Sequence, residues 1–188
     1  MKENTRQKLI NATYEEVYSN GYQGAALADI LTKAGVHKGS MYYFFANKKE
    51  MALSAIQEKM SERFDMLYLS ITKDEDNYLQ KLFDLLRDTS RRDFSRGCPL
   101  ANLVQEMSNL DEDFNQALQK IYNKFREVVR LIYDKAVENK ELVACDTDKL
   151  SLFSIIVLEG ALLSVKGSGN IQDYTDAVEM LIEYIKNI

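Results

Sequence analysis

Residues 26–49 read ALADILTKAGVHKGSMYYFFANKK, and this stretch decides how the rest of the chain is interpreted. We interpret it as a helix-turn-helix followed by the first turn of a long helix. The first helix, over 28–34, is predicted to end at Gly35, because glycine readily adopts the left-handed conformation that closes a helix. Val36 is the apolar turn residue, and the second helix is predicted over His37–Phe45.

The next helix is expected to begin at Asn47. Glu50 follows three residues later, in the pattern of a capping box. Lys48 and Lys49 lie in the first turn, where free backbone N–H groups and both ammonium groups could face a phosphate.

The surface of the second predicted helix combines cationic, hydroxyl and aromatic side chains. Gly39 allows another backbone to come close, which suits a helix pressed into a DNA groove. The other residues of this surface are Lys38, Ser40, Tyr42 and Tyr43.

The segment from Gly21 to Met51, with AGVHKGSMYYFF at its centre, resembles the DNA-binding domain of the TetR family of repressors. The resemblance implies a repressor that binds double-stranded operator DNA. Ala25 and Ala26 stand where the family usually has a capping Thr or Ser, so a phosphate contact would fall to backbone N–H groups. The DNA-binding residues that follow from the motif are Ala26, Leu27, His37, Lys38, Gly39, Ser40, Tyr42, Tyr43 and Lys48.

Composition favours an all-helical protein. The 188 residues include only one Pro and eight Gly, fewer helix breakers than sheets and turns need. The net charge is −5, but residues 1–50 hold seven Lys/Arg and five Asp/Glu, giving +2. A locally basic N-terminal part on an acidic body is compatible with DNA binding.

We expect a cytoplasmic protein that does not use the membrane. The start, MKENTRQK, has no apolar signal region, and the strongly apolar run 152–158 is too short to span a bilayer. Two cysteines do not make a disulfide scaffold, so reduced thiols are expected.

Apolar residues at helical spacing continue to the C-terminus. The predicted fold is therefore all-α, with about nine helices in two parts. Residues 1–48 are predicted to form a three-helix DNA-binding domain, and residues 49–188 an effector-binding and dimerisation domain. Four arginines near the end of the fifth helix are explained either by the helix dipole or by an anionic effector; they are Arg87, Arg91, Arg92 and Arg96.

Cys98 precedes Pro99, which suits a first helical position. A thiol at a helix N-terminus with Arg96 nearby is in a setting that raises reactivity; the alternative is a small packed residue. The surrounding sequence resembles a TetR subgroup that includes electrophile-responsive repressors of reductase genes. That resemblance implies sensing by Cys98, with Lys166 at a matching basic position.

The last two predicted helices are joined by the short segment 167–170, which makes them neighbours. Small residues on the first would let another helix approach closely. We predict that the pair meets its copy in a four-helix bundle, the alternative being an ordinary monomer core. The predicted interface residues are Val157, Gly160, Ala161, Ser164, Val178, Leu181 and Ile185.

The sequence also bears on two other functions. An enzyme is disfavoured because the chain has one His, no metal-ligand spacing, no phosphate-binding Gly loop and no nucleophile elbow. No metal and no cofactor are therefore expected. A helical protein-interaction module without DNA binding remains the alternative. Glu159, in an apolar helix, could titrate high or lie at the edge of a bundle.

Overall fold

The computed structural model describes residues 2–73 and 75–188. Over these ranges the chain is helical and contains no strand, which confirms the predicted all-α class. The nine α-helices of this part of the chain are α1 (Lys2–Gly24), α2 (Leu27–Ala34), α3 (Lys38–Met41), α4 (Lys48–Leu67), α5 (Tyr78–Arg87), α6 (Pro99–Met107), α7 (Glu112–Glu138), α8 (Thr147–Ser168) and α9 (Gln172–Lys186).

Several helices differ in length from the sequence prediction. α4 ends at Leu67 and gives way to a 3₁₀ turn over Leu69–Lys73, where the sequence pattern predicted one helix to about residue 72. α5 ends at Arg87, before the other three arginines of that group, because Asp88 adopts an extended conformation. Apolar periodicity continues across these breaks, so it did not reveal them.

The chain divides into two compact units. The first holds residues 1–62 and 99–121, and the second holds residues 63–98 and 122–188. Residues 99–121, which contain α6, thus belong with the N-terminal helices. The division at 48/49 between a DNA-binding domain and an effector-binding domain concerns function, and it stays a prediction.

The first unit is built on a core of fully buried apolar side chains from α1, α2, α3 and α4. Examples are Leu9, Ile10, Ile30, Met41 and Met51, each with 0% of its surface exposed. α1 packs against both α2 and α6.

In the second unit α8 packs on α9 and α5 packs on α9. Asp146 caps α8, since its carboxylate accepts the N–H of Lys149 at 3.0 Å. Tyr133 and Tyr174 are fully buried, and both hydroxyls have partners: Ser154 at 2.8 Å and the Leu86 carbonyl at 2.8 Å.

α8 is unusually apolar. Its most apolar window of 18 residues has a mean hydropathy of 1.7, so that by length and composition this 22-residue helix could cross a membrane, a test that core helices of globular proteins also pass. Only 39% of its most apolar window is buried within the chain. The remaining apolar surface is exposed, as is typical of a surface that contacts another molecule.

Candidate functional site

The turn between α2 and α3 has the predicted geometry. Gly35 adopts φ 63° and ψ 38°, the left-handed conformation. Its N–H donates to the Thr32 carbonyl and that of Val36 to the Leu31 carbonyl, both at 3.1 Å, which is the paired bonding of a Schellman motif. Ala26 stands at the start of α2 without a side-chain cap, as its methyl group requires.

α3 is shorter than predicted. It covers Lys38–Met41, and the predicted continuation to Phe45 is a turn. The N–H groups of Phe44 and Phe45 both bond to the Met41 carbonyl, at 2.9 and 3.0 Å, which ends the regular helix. Met41 and Phe45 are buried at 0% and 3% exposure, so the turn itself is anchored in the core.

The segment 37–43 presents the predicted DNA-contacting side chains together. Tyr42 is 52% exposed and Tyr43 is 66% exposed, although large aromatic residues are usually buried. The Lys38 ammonium lies 6.0 Å from the centre of the Tyr42 ring. The exposed members of this segment, which we call the recognition surface, are His37, Lys38, Gly39, Ser40, Tyr42 and Tyr43.

Lys48 and Lys49 are both occupied inside the first unit. The Lys48 ammonium donates to the Tyr22 carbonyl at 2.6 Å and lies 4.4 Å from the centre of that residue's ring. Burial lowers the pKa of Lys48, against the nearby charge of Glu106. The Lys49 ammonium reaches Asp111 at 2.7 Å and Asp113 at 2.5 Å.

Those two carboxylates raise the pKa of Lys49 to about 12 through hydrogen bonds. The sequence suggested that both ammonium groups face a phosphate, but in this structure the Tyr22 carbonyl holds Lys48 and two aspartate side chains hold Lys49. The capping pattern at the start of α4 is present: Asn47 Oδ1 accepts the Glu50 N–H at 2.9 Å. The Glu50 carboxylate in turn accepts the Ala46 N–H at 2.7 Å.

Four of the seven predicted dimer-interface residues are buried within the second unit. Ala161 is 4% exposed, Val178 and Ile185 are each 1% exposed and Leu181 is 2% exposed. Their side chains face the core of the chain itself because α8 and α9 pack on each other, which corrects the predicted set. Gly160 and Ser164 are exposed, and Val157 is half-buried.

The exposed apolar side chains of α8 and α9 are different residues. Phe153 and Tyr184 meet edge to face with ring centres 5.2 Å apart, which joins the two helices on one surface. We call these residues the α8–α9 apolar face; they are Phe153, Ile156, Leu163, Met180 and Tyr184.

The four arginines at the end of α5 and after it separate into three that form ion pairs at the surface and one that is half-buried. Arg87, Arg91 and Arg96 pair with Glu179, Asp88 and Asp93 at 2.6–2.7 Å.

Arg92 instead is half-buried. Its guanidinium is 4.9 Å from the centre of the Tyr174 ring, and its Nε is buried without a hydrogen-bond partner. Sequence reasoning treated the four arginines alike, and no local signal separates Arg92 from the others.

Cys98 directly precedes Pro99, the first residue of α6, as predicted. Its thiol is half-buried and forms a hydrogen bond with Glu159. Burial raises the pKa of Glu159, and the bond from Cys98 and the charge of Arg92 oppose that rise. Glu159 Oε2 is buried without a partner. We call Arg92, Cys98 and Glu159 the interior polar cluster.

Lys166 is exposed on the last turn of α8. It stands seven residues beyond Glu159, roughly 10 Å along the axis at the rise of an α-helix. Among the residues that the structure describes, no three His, Cys, Asp or Glu side chains are grouped so as to hold a metal ion.

Two family models match the chain. Residues 9–55 match the bacterial regulatory proteins of the tetR family, and residues 77–181 match the tetracyclin repressor-like C-terminal domain. The transcriptional regulator AcuR of Cereibacter sphaeroides is 32% identical over 170 residues, which are 85% of this chain and 75% of AcuR. The repressor NemR of Escherichia coli is 22% identical over 188 residues, 98% of this chain and 93% of NemR.

Solved structures of regulators have the same fold as this chain. The regulatory protein TetR from Rhodobacter sphaeroides superposes with a TM-score of 0.78 at 27% identity, covering 95% of this chain and 97% of that one. The reduced form of E. coli NemR gives a TM-score of 0.85 at 22% identity, covering 94% of each chain.

The fold and the recognition surface therefore define a helix-turn-helix DNA-binding regulator. With both family models matched, the chain belongs to the TetR family of bacterial transcriptional regulators. This is a family of regulators and not of enzymes, as the sequence indicated.

Proposed function

We propose that this chain acts in the cytoplasm as a homodimeric repressor that binds a pseudo-palindromic operator and is released by a small hydrophobic or electrophilic effector. The observation that carries the DNA-binding part is the recognition surface. Its aromatic, hydroxyl and cationic side chains are exposed around a buried Met41 and contribute little to the core. A short helix with this composition suits the major groove.

Within the recognition surface the roles divide by chemistry. Lys38 and Tyr42 hold phosphates, whereas Ser40 and Tyr43 reach base edges. The backbone N–H groups at Ala26 and Leu27, at the start of α2, supply a further phosphate contact.

Lys48 is also proposed as a phosphate contact. To reach DNA its ammonium has to leave the Tyr22 carbonyl that it binds at 2.6 Å.

The α8–α9 apolar face supports the dimer. Ile156 is 58%, Leu163 59% and Met180 72% exposed, on helices whose opposite sides are buried. A second copy of the same face would cover these side chains around a two-fold axis, with Gly160 and Ser164 letting the backbones approach. Two recognition surfaces related by that axis read two half-sites, which explains the expected pseudo-palindrome.

The interior polar cluster supports effector control. A half-buried thiol beside unpartnered polar atoms is a feature that packing alone does not require. Lys166 is proposed as a second sensor residue because the surrounding sequence resembles that of the electrophile-responsive subgroup. We propose that modification or ligand binding at the cluster shifts α4 and changes the spacing of the two recognition surfaces.

A gel-shift titration with the DNA upstream of the protein's own gene tests the repressor. We expect a shifted band at low salt that disappears when a thiol-reactive compound is added. Cys98→Ser should bind the same DNA but resist release. Release of the Cys98→Ser protein would make the effector a non-covalent ligand, and the lack of any shift would favour the protein-interaction module.

A further inference from the structure

A single lysine in the first turn of α4 bridges two carboxylates at the start of α7. The Lys49 ammonium lies 2.7 Å from Asp111 Oδ2 and 2.5 Å from Asp113 Oδ2. Asp111 is fixed in place, because its Oδ1 caps α7 by accepting the N–H groups of Asp113 at 3.0 Å and Phe114 at 3.2 Å. The cation thus meets an anchored pair of carboxylates.

This contact takes a cation from the segment that is proposed to bind DNA. Residues 26–49 contain four lysines and no arginine. Three of the four ammonium groups are bound by oxygens of the chain itself; they belong to Lys33, Lys48 and Lys49. Affinity for DNA rises with the number of phosphates that lysine and arginine neutralise. This conformation therefore offers DNA fewer cations than the sequence of the segment carries.

Lys49 is bound by charged groups that a phosphate resembles. Hydrogen bonds with the two carboxylates raise the pKa of Lys49 to about 12, and the bond from Lys49 lowers the pKa of Asp111, so the contact is ionic at neutral pH. The side chains of Lys49 and Asp113 are 33% and 67% exposed. Exposed ion pairs contribute little to stability because water screens them, so another anion can replace the carboxylates reversibly.

The position of Lys49 suits such an exchange. It follows Lys48 in the first turn of α4, where the positive end of the helix dipole favours a phosphate. Glu50, the acidic residue of that turn, is engaged by the Ala46 N–H and does not bind either lysine.

We propose that Asp111 and Asp113 compete with DNA phosphates for the Lys49 ammonium, so that this contact lowers the affinity of the protein for DNA. The inference rests on the proposed DNA binding and adds an autoinhibitory contact to it. When DNA binds, the Lys49 ammonium exchanges the two carboxylates for a phosphate, and the carboxylates are hydrated. A movement that separates the start of α7 from α4 releases Lys49 and strengthens binding.

The experiment measures the binding of a labelled DNA duplex of mixed sequence by fluorescence anisotropy at several salt concentrations. The variant Asp111→Asn/Asp113→Asn loses both charges but keeps the cap of α7, because Asn caps a helix as well as Asp does. We expect its affinity at low salt to rise by about two- to fivefold, the effect of one exposed ion pair. The slope of log affinity against log salt should become steeper by about one, because one more phosphate is neutralised.

Two controls separate competition from a general effect of charge. Lys49→Ala is made in the unaltered protein and in the double variant; independent charges predict the same loss of affinity in both. Competition predicts a loss that is about two- to fivefold larger in the double variant, where Lys49 contacts DNA without a rival. Glu112→Gln removes a neighbouring exposed carboxylate that accepts the Gln116 amide, and it measures the effect of one charge alone.

Equal losses from Lys49→Ala in the two backgrounds, or an unchanged affinity of the double variant, would overturn the competition. If the double variant does not fold, Asp113→Asn alone decides, because that exposed side chain is not the cap of α7. A gain no larger than that of Glu112→Gln would then contradict the proposal.

The same measurements separate this inference from the proposed function. Binding of the duplex by the unaltered protein, without coupling between Lys49 and the two aspartates, would remove only the autoinhibitory contact. Binding by the double variant alone would support both proposals, because the contact would then block DNA completely. If neither protein binds the duplex at low salt, both proposals fail.

Discussion

The Glu106 carboxylate occupies the space that a side chain at Gly21 would need. A Cβ at Gly21 would lie 2.7 Å from Oε2 and 2.8 Å from Oε1 of Glu106. Gly21 breaks α1 with φ 73° and ψ 169°, and this frees the next two N–H groups. Glu106 accepts both, from Tyr22 and Gln23, at 2.9 Å each.

Gly21→Ala should therefore destabilise the protein. The positive φ and the contact with a hydrogen-bonded carboxylate together cost about 1–3 kcal/mol, the range for a strained backbone position. The free energy of unfolding in urea, followed by circular dichroism, measures the loss. Gly24→Ala is the matched control, since its Cβ would meet only Asn20 Cβ at an ordinary 3.5 Å. Equal stability of the two variants would contradict the argument.

Lys38→Ala should weaken DNA binding uniformly across sequences. Because one phosphate contact is lost, the slope of log affinity against log salt should fall by about one. Fluorescence anisotropy at several salt concentrations gives the slope. Lys120→Ala removes an exposed lysine from α7 and should leave it unchanged.

Lys48→Ala tests whether the partly buried ammonium of Lys48 reaches DNA. If it leaves Tyr22 for a phosphate in the complex, the salt slope should fall by about one, as for Lys38. A salt slope equal to that of the unaltered protein would show that Lys48 does not contact a phosphate and only binds the Tyr22 carbonyl.

Ile156→Glu should separate the protomers. A charge in the centre of the α8–α9 apolar face should raise the dimer dissociation constant at least about tenfold, equivalent to about 1.4 kcal/mol. Size-exclusion chromatography with light scattering reports the mass. Val143→Glu is the control, because Val143 is also 58% exposed but lies outside α8 and α9. A dimer that survives Ile156→Glu would exclude this face.

The stability of Glu159→Gln should depend on pH in a defined direction. The folded-state pKa of Glu159 is raised, so the folded chain binds more protons, and this carboxyl favours folding only at low pH. That contribution is lost as pH rises through the folded-state pKa. Glu159→Gln should therefore gain stability relative to the unaltered protein at pH 7, on the order of 1–3 kcal/mol for an unmet buried acceptor. The gain should vanish near pH 4; thermal melts at both pH values give the comparison.

The pKa of Asp93 is shifted in the direction opposite to that of Glu159. Hydrogen bonds from Ser95 and Arg96 lower the pKa of Asp93 to about 2, so its contribution is present above its ordinary pKa and is lost as pH falls towards 2. Asp93→Asn should consequently lose stability at pH 7, contrary to Glu159→Gln.

The sequence by itself determined the helix-turn-helix and the all-α class. Gly35, the cap at Asn47 and the apolar spacing act through bonds only a few residues apart, so local pattern was sufficient. The same reasoning correctly brought 37–43 together as one exposed surface, because one short segment carries it.

Only the tertiary structure decided what each charged or apolar side chain faces. Lys48 and Lys49 meet residues far along the chain, Arg92 turns inward while Arg91 stays outside, and Val178 and Leu181 serve the protomer core. These outcomes depend on packing between helices distant in sequence. Helical periodicity identifies the apolar face of a helix but not the helix that packs against it. The pairing of Cys98 with Glu159 across 61 positions is the same kind of fact, since no local pattern records which two helical segments pack together.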